Sequence, residues 1–240
     1  MVGKLINGFL NAFGYHIGKH QSVQYLISRN KYRWLQSREI NTIVDIGANN
    51  GQFADFIHQV MPGVSIYSFE PLAMPFEQLV ELSKTIHTLH CFNYAIGATN
   101  GEVEINENDF SASSSILPMG DLHVSSFPFT KNSIVKAIPI RTLDSFIPEI
   151  HPVKSILLKI DVQGFELEVL KGAEKFVNMV DVIIVETSFF ELYKTQPLFR
   201  DIYEYLLKKG FSYCGNFDQI NSASTGEVLQ ADAIFIRQTV

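Results

Sequence analysis

The sequence predicts an α/β protein with a mostly parallel sheet and helices on both faces. Three observations lead to this prediction. Short apolar runs typical of buried strands alternate with segments in which apolar residues recur at helical spacing. A turn containing two glycines follows the first of these strands. Finally, 46% of the 240 residues are hydrophobic and 18% are charged, so the chain can bury one sizeable core.

The first predicted strand and its turn lie in the stretch TIVDIGANNGQ, residues 42–52. The strand ends near Ile46, and apolar residues then recur at helical spacing from Phe53 to Val60. Gly47 and Gly51 permit a positive φ and would let the backbone approach a ligand closely. The helix that follows directs unpaired N–H groups toward the same point. The sequence therefore predicts a ligand-binding turn here.

The later elements continue the alternation. We expect strands at 64–69, 88–96, 101–105, 135–140, 155–160 and 182–185, helices around 76–82, 165–170 and 199–207, and closing antiparallel strands at 211–215 and 231–237. The serine-rich segment 109–130 shows neither period for most of its length. A loop this long in a compact domain is usually functional or disordered, and we predict the functional case, in which it closes over the ligand site.

Charge, cysteine content and hydropathy limit the partners and the compartment. A formal net charge of −6 leaves no basic surplus for a nucleic-acid backbone, so we do not expect nucleic acid as the main partner. Cys91 and Cys214 are too few for a disulfide framework and fit a reducing, cytoplasmic compartment. No apolar run is long enough to span a bilayer. Residues 4–17 have one apolar face, which indicates a helix that covers the core or a partner subunit, or one in peripheral contact with a membrane.

Four acidic residues stand at the C-terminal ends of predicted strands: Asp45, Glu70, Asp161 and Glu186. In an open α/β sheet, ligands bind beyond these ends, so the four carboxylates should converge on one crevice. A carboxylate in the position of Glu70 can accept both hydroxyl groups of a ribose. We expect Asp45 to organise the turn or to contact a ligand's ammonium group. Together the acids suit a cationic ligand.

Motifs along the chain then indicate a family. They are VDIGANNGQF at 44–53, SFEP at 68–71, NYAIG at 93–97, SSS at 113–115, RTLDSF at 141–146, LLKIDVQGFELEVLKGA at 157–173 and VETSFFELYKTQPLF at 185–199. In order and spacing, the chain resembles the FkbM-type S-adenosylmethionine-dependent methyltransferases from about Thr42 to Arg237. The resemblance implies a Rossmann-like seven-stranded methyltransferase fold with an antiparallel C-terminal strand. It also implies O-methylation of a hydroxyl on a sugar, a glycan or a secondary metabolite. We expect a methyltransferase domain at 41–240 after an N-terminal helical extension at 1–40.

The resemblance also implies roles for single residues toward the cofactor, S-adenosyl-L-methionine. Its methionine part would be held by Asp45, Gly47, Asn49 and Gly51. Glu70 would bind the ribose, Pro71 and Leu72 would flank the adenine, and Asn93 and Ala95 would lie beside it. Asp161 would face the methionine end or the incoming hydroxyl. The acceptor side, for a small molecule or a glycan, would be lined by Ser114, Ser115, Glu186 and Tyr193.

Methyl transfer to a hydroxyl benefits from a base that takes its proton in the transition state. We predict that Asp161 is that base or orients the hydroxyl, with Glu186 as the second candidate and His123 as the third. A lone histidine in a loop is more often solvated, and we expect this of His123. Asp161, Glu166 and Glu186 could alternatively supply oxygen ligands to Mg²⁺, although no tight ligand spacing favours this.

Two alternatives from other functional classes stay open. A nicotinamide-dependent oxidoreductase would share the fold and Glu70, but would need a third glycine in its turn and a Tyr/Lys pair or a metal centre. A non-catalytic ligand-binding protein would need only the fold. The acceptor of a methyltransferase also stays open among glycan hydroxyls, small secondary metabolites and lipid-linked sugars.

Overall fold

The computed structural model of the chain describes residues 32–130, 132–222 and 224–238. Its internal contacts separate residues up to Glu39 from a compact unit that begins at Ile40. In the first unit, residues 32–36 are helical. Residues 1–31 of the predicted helical extension, including the amphipathic stretch 4–17, lie outside the described residues, and residues 37–40 are not helical. The division of the chain near residue 40 into an extension and a methyltransferase domain stays a prediction.

The strands of the described chain form two sheets. They are β1 (Thr42–Ile46), β2 (Ser65–Phe69), β3 (Leu89–Phe92), β4 (Ala95–Ile96), β5 (Gly101–Asn108), β6 (Ser133–Arg141), β7 (Ile156–Ile160), β8 (Val182–Ser188), β9 (Phe211–Asn221) and β10 (Val228–Arg237). The main sheet has the order β3-β2-β1-β7-β8-β10-β9. Its first five strands pair in parallel, whereas β10 is antiparallel to both β8 and β9. The predicted seven-stranded, mostly parallel sheet with an antiparallel C-terminal strand is confirmed.

Helices alternate with the strands of this sheet. They are α1 (Gln52–Val60), α2 (Ala73–Ser83), α3 (Asp121–Ser126), α4 (Ile147–Ile150), α5 (Glu166–Lys171), α6 (Glu174–Val177) and α7 (Phe199–Lys208). As predicted, the last of these ends before Gly210, which has a φ of +82°. Among the helices of the described residues, none combines the length and the apolar composition needed to cross a bilayer.

Burial in the core explains why the parallel strands are continuous apolar runs in the sequence. All five residues of β1 are buried, and so are four of the five in β7. Strands of a parallel sheet that is covered on both faces are apolar on both sides, so they do not show alternation. The partly exposed exception in β7 is Lys159, and its position in the functional site is described below.

The middle of the chain corrects two predictions. The strand expected at 88–96 is split into β3 and β4 at Asn93 and Tyr94, because the Asn93 amide turns to donate to the carbonyls of Glu70 and Pro71 at 2.9 and 3.0 Å. β4 then joins the second sheet, with the order β4-β6-β5. The segment 109–130 was expected to lack helical structure, but it contains α3 and short 3₁₀ turns at 111–113 and 128–130. These elements are too short for periodicity to reveal.

The glycine turn is needed for packing between two strand ends. Gly47 has a φ of +81°, and a Cβ placed there would lie 1.8 Å from the carbonyl oxygen of Asp161. The close approach expected of this glycine is therefore made to the protein backbone beyond β7. At Gly51, with a φ of +88°, a Cβ would meet the side chains of Leu79 and Leu82 on α2.

We expect Gly47→Ala to destabilise the fold far more than Gly63→Ala. Both glycines have positive φ, at +81° and +91°, but nothing lies within 4 Å of a Cβ at Gly63. The control should lose about 1 kcal/mol for the left-handed backbone alone. Gly47→Ala should lose about 2 kcal/mol more, because the added carbon overpacks a site formed by backbone. Urea unfolding of the two variants measures the difference, and equal losses would contradict the close approach.

Candidate functional site

The acidic residues predicted to converge do lie along one edge of the sheet. The register pairs the last residues of β2, β1 and β7 with one another, so Glu70, Gly47 and Asp161 follow three neighbouring strand ends. Glu186 was expected to end its strand but lies inside β8, two residues before its end. The strand order reverses between β1 and β7. Such a switch point is where open α/β sheets form a ligand crevice.

Glu70 is held by the backbone of the glycine turn. Its Oε2 accepts the N–H of Asn49 at 2.9 Å, and its Oε1 accepts the N–H of Leu72 at 2.9 Å. Asn49 has a φ of +49°, which turns its N–H toward the carboxylate. The residue is 5% exposed, and burial raises the pKa of Glu70 to about 7 against the lowering effect of both hydrogen bonds. Each oxygen retains capacity for a further hydrogen bond.

The predicted neighbours of an adenine ring divide into two groups. Leu72 and Ala95 are buried in a small apolar cluster beneath the surface, with Ile105, Ile138 and Ile140. Pro71 and Asn93 are half-buried. The Asn93 side chain fixes the carbonyls that follow β2. Leu72 and Ala95 therefore belong to the apolar layer beneath this part of the site, and their roles toward a cofactor stay predictions.

An ion-paired lysine connects β1 with β7. The Nζ of Lys159 lies 3.1 Å from Oδ2 of Asp161 and 3.8 Å from Oδ1 of Asp45. Burial would lower the pKa of Lys159, but the two carboxylates more than compensate and raise it. Asp45 is completely buried, and burial raises its pKa to about 6, opposed by Lys159. The burial of Asp45 agrees with a role in organising the turn, and its contact with a ligand stays a prediction.

Sequence reasoning assigned no role to Lys159, although a signal was present. A lysine inside an apolar strand needs a buried counterion. Lys159 and Asp161 are two residues apart in an extended segment, so their side chains lie on the same face.

A strained turn follows β7. Gln163 and Gly164 have φ values of +56° and +97°. Glu166 closes this turn, because its Oε1 accepts the N–H groups of Val162 at 3.3 Å and Gly164 at 3.0 Å. Glu166 is 3% exposed, and burial raises its pKa to about 7.

The residues named as alternative Mg²⁺ ligands are not arranged as a metal-binding group among the described residues. Glu166 directs an oxygen into its own turn, so Asp161, Glu166 and Glu186 do not present three carboxylates to one point. Within the part of the chain that the structure describes, no group of three or more His, Cys, Asp or Glu side chains is arranged to hold a metal ion.

An amide that was not predicted joins Asp161 to Glu186. The Nε2 of Gln163 donates to Oδ1 of Asp161 at 2.9 Å and to Oε2 of Glu186 at 2.7 Å. A second amide, that of Gln230, donates to the same oxygen of Glu186 at 3.0 Å. Burial raises the pKa of Glu186 well above its usual value, and the nearby Asp161 adds to the rise. No signal in the sequence marked either glutamine, because their partners are distant along the chain.

The residues expected on the acceptor side lie mostly beneath the surface. Ser115 is 1% exposed, and its hydroxyl donates to the carbonyl of Gln163 at 2.6 Å. The hydroxyl of Ser114 accepts the N–H of Asn108 at 2.9 Å. Tyr193 is fully buried and donates to Oε1 of Gln163 at 2.9 Å. Ser115 and Tyr193 thus support the turn after β7, whereas Ser114 supports the end of β5, and any contact of the three with an acceptor stays a prediction.

His123 is buried, so the expectation that it is solvated was wrong. It is 3% exposed, and its ring centroid lies 4.9 Å from that of Tyr193 and 5.2 Å from that of Phe127. Burial lowers the pKa of His123. The residue lies on α3, a helix that the sequence did not reveal, and its ring packs among aromatic side chains.

A pocket of about 190 Å³ opens where β8, β9 and β10 meet the same sheet edge. It is lined by Glu186, Asp218, Gln219, Ile220, Gln230, Ala231 and Asp232. Glu186 is thus shared between this pocket and the carboxylates near the glycine turn. Lined by carboxylates and amides, the pocket can form hydrogen bonds with a polyhydroxylated ligand.

Comparison with known proteins identifies relatives that act in methyl transfer. The chain is 26% identical over 171 residues to the 2-O-methyltransferase NoeI of Sinorhizobium fredii, covering 68% of this chain and 70% of that protein. It is 25% identical over 154 residues to the hexuronic acid methyltransferase AglP of Haloferax volcanii, covering 63% of this chain and 57% of that protein.

A solved structure and a family model agree with these relatives. The FkbM methyltransferase of Methylobacillus flagellatus superimposes with a TM-score of 0.52 at 14% identity, which shows the fold. The match covers 92% of this chain but 56% of that one, so the chain spans little more than half the length of AglP and of this structure. The model of the methyltransferase FkbM domain matches residues 45–213. This match covers more than half of the chain, confirms the resemblance seen in its motifs, and shows that the chain belongs to the FkbM methyltransferase family.

Proposed function

We propose that this methyltransferase transfers the methyl group of S-adenosyl-L-methionine to a hydroxyl group of a sugar ring. The observation that carries the proposal is the position of Glu70, a buried carboxylate fixed beside the glycine turn at the switch point of the sheet. Two relatives support the sugar acceptor by their names, a 2-O-methyltransferase and a hexuronic acid methyltransferase.

The carboxylates at this edge suit a cationic cofactor. When bound, the cofactor supplies an electrophilic methyl group on a positively charged sulfur. We propose that Gly47, Asn49, Gly51 and Asp161 hold its methionine part and that Glu70 accepts the ribose hydroxyls. Asp45 and Asp161 share the ammonium of Lys159, so this cluster retains negative charge. In a site of reduced dielectric, that charge stabilises a sulfonium.

We propose Glu186 as the base, ahead of Asp161. Among the described residues, both amides that reach Glu186 donate to Oε2, while Oε1 accepts no hydrogen bond and the side chain lines the pocket. Both oxygens of Asp161 already accept a bond, one from Gln163 and one from Lys159. We propose that Asp161 instead aligns the methyl donor, since in-line displacement depends on the alignment of donor and acceptor.

The pocket beside β8 would hold the acceptor ring. Its carboxylates and amides provide hydrogen-bond partners for sugar hydroxyls. Ser115 and Tyr193 would shape this side by fixing the turn after β7 rather than by touching the sugar, and Ser114 would do so by holding the end of β5 at Asn108. The thiols of Cys91 and Cys214 are free, which supports our proposal of a reducing, cytoplasmic compartment.

Cofactor binding should depend on the two acceptor oxygens of the Glu70 carboxylate. We expect calorimetry to detect binding of S-adenosyl-L-methionine and none of NADH, which separates the proposal from an oxidoreductase. Glu70→Gln should weaken binding by about 10-fold or more, because an amide puts a donor against one of the two N–H groups that Glu70 now accepts. Glu77→Gln, on the exposed side of α2, is the matched control. Unchanged affinity in Glu70→Gln would remove Glu70 from the cofactor site.

The buried carboxyls should make the fold less stable as pH rises. The pKa of Glu166 is about 7 in the folded chain, against an ordinary value of 4.5, so the native state binds more protons than the unfolded chain between these pH values. The free energy of unfolding then falls as pH increases through this window. Glu166→Gln keeps an oxygen for the N–H groups of Val162 and Gly164 but removes the charge.

We therefore expect Glu166→Gln to match the wild type near pH 4.5 and to exceed its stability at pH 8 by about 1–3 kcal/mol. Urea unfolding at the two pH values measures this. Glu168→Gln, on the same helix with a partly exposed side chain, is the control. An equal difference at both pH values would mean that the charge of Glu166 does not cause it.

The two candidate bases should respond differently to substitution. Glu186→Gln should lower kcat by about 100-fold or more and leave cofactor affinity nearly unchanged, because only proton transfer is lost. Asp161→Asn should weaken both cofactor binding and turnover. The measurement is transfer of labelled methyl groups to a panel of neutral sugars and uronic acids, repeated with a chelator to test for Mg²⁺. Full turnover by Glu186→Gln would return the role of base to Asp161.

A further inference from the structure

The side chain of Gln163 occupies the point where three polar groups meet. One N–H of its amide points to Asp161 and the other to Glu186, and its oxygen faces the hydroxyl of Tyr193. The three distances lie between 2.7 and 2.9 Å. Each atom of the amide that can form a hydrogen bond therefore has a partner.

We propose that Gln163 is a positioning residue that holds Glu186 with Oε2 fixed and Oε1 directed to the acceptor pocket. The inference rests on the proposed role of Glu186 as the base. In this proposal Gln163 contacts the base and neither the methyl donor nor the acceptor hydroxyl. It acts through the carboxylate, together with Gln230, which binds the same oxygen from β10.

The orientation of the amide is set by Asp161 and Glu186 and agrees with the position of Tyr193. Ionised carboxylates can only accept, so the N–H groups must face them, and the Tyr193 hydroxyl can donate to the amide oxygen on the other side. A flipped amide would place its oxygen against Asp161 and Glu186, and its N–H groups against Tyr193. Tyr193 itself is fully buried, and its hydroxyl lies within 3.2 Å of the carbonyl of Ser113. The hydroxyl therefore has little freedom to move away.

The backbone of Gln163 is fixed as tightly as its side chain. Its φ of +56° is uncommon for a residue with a Cβ. Ser115 donates to its carbonyl at 2.6 Å, and Glu166 accepts the N–H groups on either side of it. A strained residue persists only where its surroundings determine it, and such strain is concentrated at functional sites.

An amide suits this position better than a carboxylate of the same shape. An ionised glutamate at 163 would only accept, so it would repel Asp161 and Glu186, and a protonated one could donate to one of them. The amide serves both acids and adds no charge. It lets two carboxylates lie close together without a shared proton.

The hydrogen bond from Gln163 also favours the ionised form of Glu186. Burial disfavours the charged form of Glu186. The neighbouring carboxyl groups of Asp161, Glu166 and Asp232 also disfavour it, whereas the ammonium group of Lys159 favours it. Tyr193 faces the same cluster. Loss of the amide should therefore make the carboxyl ionise at a higher pH.

The test compares Gln163→Met, which keeps the length but donates no hydrogen bond, with Gln163→Glu. In the proposed reaction, activity rises with pH as the base ionises. For Gln163→Met, we expect kcat to fall by about 10-fold and the rising limb of the pH profile to move up by about half a unit or more. Gln163→Glu should move it further. Gln78→Met, at an exposed position on α2, is the matched control and should move neither.

A second readout does not depend on turnover. The ionisation of Glu186 is followed by NMR in protein labelled with ¹³C at the glutamate carboxyl groups, its signal assigned from Glu186→Gln. The proposal expects this titration to move to higher pH in both variants. If a variant at 163 does not fold, Tyr193→Phe keeps the ring and removes the hydroxyl that contacts the amide oxygen. It should then give a smaller shift in the same direction.

The outcomes are distinct. A pH limb and a carboxyl titration like those of the wild type, in variants that fold, would overturn the proposal even if kcat fell. A wild-type chain that binds the cofactor but methylates no acceptor would instead refute the proposed function. The titration of Glu186 would still decide in that case whether Gln163 controls it.

Discussion

The ion pair between Lys159 and the carboxylates of Asp45 and Asp161 is the interaction on which the site depends. These residues belong to β1, β7 and the turn after β7, so the pair joins the two sides of the switch point. Without a shared cation, buried acids at neighbouring strand ends would repel one another. Such a group is costly to desolvate and adds little net stability, but it favours one arrangement. The position of Asp161, and through Gln163 that of Glu186, follows from it.

The serine-rich segment gives the second constraint. It was predicted as a loop that closes over the site, and it is attached to the site at two points. Ser111 donates to the side chain of Asn49 in the glycine turn at 3.1 Å, and Ser115 donates to Gln163 after β7. These bonds connect the turns of the proposed cofactor and acceptor halves. The segment thus links the two turns by hydrogen bonds in this structure.

Much of the fold and part of the site could be predicted because their signals are local. A buried parallel strand gives an unbroken apolar run, and Glu70 and Asp161 stand directly after such runs. Gln163 and Gln230 carried no signal, because their partner Glu186 is 23 and 44 residues away. The burial of His123 depended on α3, which is too short to show a period. The packing role of Gly47 could not be predicted, because it depends on the backbone of Asp161, which is distant along the chain.

The pocket beside Glu186 has a consequence for how specificity can change. Most of its wall, from Asp218 to Asp232, comes from the β9–β10 hairpin, and this stretch lies beyond the family match at 45–213. The glycine turn and Glu70 come from the opposite half of the sheet. If this pocket holds the acceptor as proposed, exchange of the hairpin would change the acceptor without altering the half of the sheet that is proposed to bind the methyl donor. Sequence changes in the β9–β10 hairpin would then leave the glycine turn and Glu70 unchanged.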